Sequence, residues 1–87
     1  MDKEIADLIE YGLRGNVIDN LLEGWIFRIE EVSSNVFRIN GIDKQGKVVS
    51  AYGVNPEEVL SACLQRARRV DSIKHFFQKL LAPFKMK

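Results

Sequence analysis

Chemistry in this chain would have to start from very few side chains. There is one cysteine, Cys63, and one histidine, His75. A nucleophilic thiol needs a base beside it, but Cys63 falls on an apolar helical stripe with Leu60 and Leu64, where a thiol is desolvated and inert. His75 stands between a lysine and a phenylalanine. The acidic pairs have structural explanations: Glu30-Glu31 alternates across a strand end and cannot face one substrate, and Glu57-Glu58 opens a helix. One histidine and scattered carboxylates make no metal site, and one thiol makes neither a zinc site nor a disulfide within the chain. "GLRG" and "DKQG" lack the strand-loop-helix setting of a phosphate loop. These residues predict a non-enzymatic protein with no catalytic residue, no cofactor, no metal and no evident small-molecule substrate.

Charge is the next resource. The formal net charge is +1, but it is unevenly spread. Residues 1–31 carry three basic and eight acidic side chains, a net −5, while residues 66–87 carry seven basic and one acidic, a net +6. Such a split marks either a basic interaction segment or a first helix lying against the last. Arg66, Arg68, Arg69, Lys74 and Lys79 form a basic run, and Arg28 and Arg38, with Tyr52, fall on the polar positions of a predicted sheet. Phosphate binding needs clustered cations, and single-strand binding needs aromatic platforms among them. Nucleic acid is therefore the second expected partner, although the overall charge falls short of a strongly basic footprint.

The closing "SIKHFFQKLLAPFKMK" carries more information. It contains four lysines and no acid, and Ile73, Phe76, Phe77, Leu80, Leu81 and Phe84 recur at helical spacing. Such a stripe can pack on the chain's own core, bind a second copy or another protein, or lie on an anionic membrane. The main expectation is an interaction surface for the chain itself or a protein partner, with membrane binding the least favoured.

The elements that position these residues follow from periodicity. "DKEIADLIEYGLRGN" places Ile5, Leu8, Ile9 and Leu13 at helical spacing, with Gly12, Gly15 and Asn16 near its end. "VIDNLL" reads either as more helix or as an apolar linker. From Trp25 the period becomes two: "WIFRIEE", "VFRINGID" and "KVVSAY" are three strands joined by "SSN" and "DKQG", both of hairpin length. One face would present Trp25, Phe27, Ile29, Phe37, Ile39, Val49 and Ala51; the other would present Arg28, Glu30, Arg38, Asn40, Ser50 and Tyr52. "NPEE" then starts a helix, with Asn55 as N-cap, Pro56 at the first helical position and two acids at the positive end of the dipole. Pro83 should end it at or before Ala82.

The expected class is α+β: a three-stranded antiparallel meander with an N-terminal helix and a long or broken C-terminal helix. A helix from Pro56 to Ala82 would run ~40 Å, whereas a seven-residue strand runs only ~23 Å. Its apolar stripe also turns. Val59, Leu60, Cys63, Leu64, Ala67 and Val70 share one side, and the stripe from Ile73 onward lies about a quarter turn away. The helix must either break near Asp71-Ser72, both competent caps, or offer the second stripe elsewhere. The expectation is one domain over residues 1–87, with 72–87 as an amphipathic extension.

The order helix, three strands, helix resembles the double-stranded RNA-binding domain over roughly residues 3–70. That likeness implies terminal helices on one face of the sheet. The family's lysine-rich helix start is replaced here by "NPEEVLSAC", so the likeness implies no RNA-binding residue. "GVNPEEVLSACLQRA" is also similar to the capped helix of the HicB-like antitoxins, which place a further strand where this chain has "HFFQKLLAPF". The single cysteine, the absence of a membrane-length apolar run and the acidic start predict a cytoplasmic protein.

Overall fold

A computed structural model describes the backbone of residues 3–85 and the side chains of residues 4–73. Its order is α1 (Lys3–Leu13), β1 (Trp25–Ser33), β2 (Val36–Asp43), β3 (Val48–Gly53) and α2 (Pro56–Lys85). The strands form an antiparallel sheet in the order β1-β2-β3. This is the α+β meander that the periodicity predicts.

Both hairpins are set by local chemistry. Asn35 adopts φ 60° at the first turn, a conformation asparagine tolerates. Its backbone N–H donates to a Glu31 carboxylate oxygen at 3.0 Å. In the second turn Asp43 Oδ1 accepts the Gln45 and Lys47 N–H groups at 2.9 and 2.8 Å, and Gly46 takes φ 86°. The buried Asp43 carboxylate is therefore satisfied by the turn it shapes.

The covered face holds Trp25, Phe27, Ile29, Ile39, Val49 and Ala51, all buried, while Phe37 is only half-buried. Phe27 opposes Gly41 on β2 and Gly41 opposes Val49 on β3. A Cβ at Gly41 would lie 2.5 Å from the Phe27 ring, so the aromatic crosses β2 only because that position has no side chain. Helix α1 contributes buried Ile9 and half-buried Leu8 to this face, leaving Ile5 and Leu13 on the exposed side.

Residues 17–22 are linker rather than helix. Ile18 forms a two-way bridge with Phe27, its N–H donating at 2.9 Å and its carbonyl accepting at 2.8 Å. It thereby occupies one point on the outer edge of β1 and sinks into the core.

Asn55 caps α2 as its type and position predict, its Oδ1 accepting the Glu57 N–H at 3.0 Å. Val59, Leu60, Cys63 and Ala67 are buried on one stripe, with Leu64 and Val70 packed beside them. No break follows: α2 is continuous for 30 residues. Asp71, a competent cap by sequence, has a different use. The Trp25 indole N–H donates to its Oδ1 at 3.0 Å and Oδ2 at 3.1 Å. The helix also passes Pro83, expected to end it at or before Ala82, and runs to Lys85, the last residue described.

Trp25 stacks near-parallel on Phe27, with ring centroids 6.2 Å apart, so its indole is held by apolar packing and by one charge-assisted hydrogen bond. Replacing Trp25 by Phe keeps most of the first and removes the second. The expected result is a loss of about 1.5–3 kcal/mol, read as a lower urea midpoint at unchanged slope. An unchanged midpoint would show that the bond contributes nothing to stability.

Candidate interaction surfaces

Among the described residues, the core contacts of α2 fall within its first sixteen, Pro56 to Asp71. Ile73 is 50% exposed, and the fourteen residues from Ser72 to Lys85 add ~21 Å of helix at 1.5 Å per residue. The molecule accordingly measures 54 × 22 × 21 Å, with a radius of gyration of 15.3 Å, against ~12 Å expected of a compact chain this long. Of the predicted interaction stripe, Ile73 is described and exposed. The side chains of Phe76, Phe77, Leu80, Leu81 and Phe84 lie outside the described residues, as do those of Lys74, His75 and Lys79.

The predicted cationic residues divide between two faces. Arg28 and Arg38 stand on the uncovered side of the sheet, in the cross-strand rows Arg28–Asn40–Ser50 and Glu30–Arg38–Tyr52. Arg66, Arg68 and Arg69 belong to α2, which packs on the opposite side. Arg38 is committed to Glu30 at 2.6 Å. That hydrogen bond, together with one to Tyr52, pushes its pKa up, so its charge is already partly answered. Arg66 donates to the Ser50 carbonyl and so covers part of the free β3 edge. Arg28, Arg68 and Arg69 are exposed. Among the described residues none of the three makes an ion pair.

Two surfaces emerge that residue types alone did not single out. On the uncovered sheet face, Ile26, Ile42 and Val48 sit opposite one another across three strands. They are exposed, Val48 by 62%, and with Arg28 and Asn40 they line a shallow concavity of about 430 Å³. The signal was the register: each occupies a position whose parity matches the polar face, and only pairing shows that they coincide.

The second surface is a groove of about 360 Å³ between α1 and the linker, lined by Asp7, Leu8, Tyr11, Val17, Ile18, Asp19 and Asn20. Its floor is apolar. Tyr11 is 49% exposed on its wall, and the rim carries Asp7 and Asp19, neither of which is ion-paired among the described residues. The nearby Glu10 carboxylate is taken by Arg14 at 3.0 Å. No sequence pattern pointed here, because the groove exists only through the path of residues 17–20.

Cys63 has no exposed surface, and its thiol donates to the Ile39 carbonyl at 3.5 Å. Burial pushes its pKa up to about 11, only partly offset by Arg66. Among the described residues no group of three or more potential metal ligands comes together, and no helix is long and apolar enough to cross a membrane. Compared with family models, curated proteins and solved structures, the chain matches none.

The thiol has a pH consequence. Its proton is held to about 11 in the folded state and to roughly 8.5 in an unfolded chain. Between those values the unfolded state binds fewer protons, so stability is complete below the window and falls as pH rises through it. Alkylation at pH 8 should be far slower than for a free cysteine and recover in urea. Rapid labelling of the folded protein at pH 8 would place the thiol at the surface.

Proposed function

We propose that this chain is a small non-enzymatic interaction module that self-associates through its C-terminal helix. One observation supports this above the others: α2 continues unbroken for fourteen residues past the Trp25–Asp71 hydrogen bond, and the first apolar residue of the second stripe, Ile73, is half exposed. A domain of this size buries only about 60% of its unfolded surface. Covering a projecting amphipathic helix with a second copy removes more apolar area from water than leaving it solvated.

The likeness in element order to the double-stranded RNA-binding domain supports an arrangement, not an activity. Where that family grips phosphates, this chain has the Asn55 cap and two acids. The likeness to HicB-like antitoxins likewise stops at the capped helix. Nucleic acid is the second reading, favoured by exposed and unpaired Arg68 and Arg69. It is weakened by the separation of the helix arginines from Arg28 and Arg38.

The test is sedimentation equilibrium of the full chain and of a Phe77→Asp, Leu81→Asp variant. The expected outcome is a wild-type dimer and a variant, unchanged in circular dichroism, whose association is weaker by about a hundredfold or more, as for two interface anchors. A monomeric wild type, or a variant that dimerises normally, contradicts the proposal. Salt-sensitive binding to duplex or single-stranded oligonucleotides, lost in Arg68→Ala with Arg69→Ala, would favour the second reading instead.

A further inference from the structure

We propose that the groove between α1 and the linker is the receiving site for the C-terminal helix of a second copy of this chain, docked reciprocally. This rests on the self-association reading and names the surface that completes it.

The groove and the helix are chemical complements. The groove offers apolar Leu8, Val17 and Ile18, the half-exposed ring of Tyr11, and a rim of Asp7 and Asp19. Residues 72–87 offer six apolar side chains at helical spacing, with four lysines and a single acid-free run after Asp71. The same complementarity appears at larger scale, in the net −5 of residues 1–31 against the net +6 of residues 66–87. Opposite potentials of this kind steer docking and set its register.

The course of α2 directs it away from this groove in its own molecule. Helix α2 is unbroken, the Trp25–Asp71 hydrogen bond fixes it at the point where a fold-back would have to begin, and among the described residues none of α2 lines the groove. The other concavity is the poorer receptor, because its charged lining residue is Arg28, which repels lysines. A second copy supplies both the basic helix and another acidic groove. If each copy places its helix in the other's groove, a two-fold axis relates them and the assembly closes as a dimer.

Charge exchange tests this directly in the full chain. One variant carries Asp7→Lys with Asp19→Lys; the other carries Lys74→Glu with Lys79→Glu. Each alone places like charges in both contacts and should self-associate at least tenfold more weakly than wild type. An equimolar mixture restores opposite charges in both contacts, so a heterodimer should form with affinity within a few-fold of the wild-type dimer. All the exchanged positions are read alongside circular dichroism to confirm folding. A wild-type dimer that is weakened by Phe77→Asp with Leu81→Asp, yet indifferent to the Asp7 and Asp19 exchange, would overturn the groove and leave self-association standing. A mixture that stays monomeric would overturn the groove as well, and open-ended oligomers would overturn the reciprocal geometry. A monomeric wild type overturns both proposals.

Discussion

A sheet with strands of nine, eight and six residues cannot bury a helix of thirty. The rest of the molecule follows from that mismatch of lengths. The strands rise ~3.3 Å per residue and stand ~4.8 Å apart, so the covered face has room for about four turns of α2. Those turns are filled by Val59, Leu60, Cys63 and Ala67, all buried. The limit is marked chemically by Asp71, where the helix receives the indole N–H of the first strand residue, Trp25. Beyond it Ile73 is half exposed while the backbone of α2 runs on to Lys85, and the 54 Å long axis of the molecule is the visible consequence.

The same mismatch organises the charges. Acidic groups gather on α1 and the linker, around an apolar groove, while the sequence after Asp71 carries four lysines and no acid. Within one molecule α2 runs on unbroken past Asp71 instead of folding back. Between molecules the two sets of charges can meet, which is why a second copy is the occupant we propose. The uncovered sheet face is different in kind: Arg38 bonds to Glu30 and Tyr52 across three strands, and such exposed pairs contribute little to stability.

Much of the fold was legible from local rules. The switch of period at Trp25 marks the sheet, Asn55 and Pro56 mark the start of α2, and "DKQG" marks a turn whose glycine does adopt positive φ. What escaped was whatever depends on contacts distant in sequence. Asp71 has the side chain of a helix cap, and only its partner 46 positions away shows that it serves as an acceptor. Ile18 could be called helical or linker until its bridge to Phe27 is seen. Ile26, Ile42 and Val48 are unremarkable singly and become a patch only through register. For the candidate site, the exposed start of the second stripe at Ile73 was foreseeable, and the groove that complements it was not.

Amide hydrogen exchange along α2, followed as a function of protein concentration, tests the central claim most directly. The expected result is strong protection from Val59 to Asp71 at every concentration, with protection of residues 74–84 rising only as the protein associates. Equal, concentration-independent protection through to residue 84 in a dilute monomer would mean that the chain's own core shelters the whole helix, and would contradict the claim.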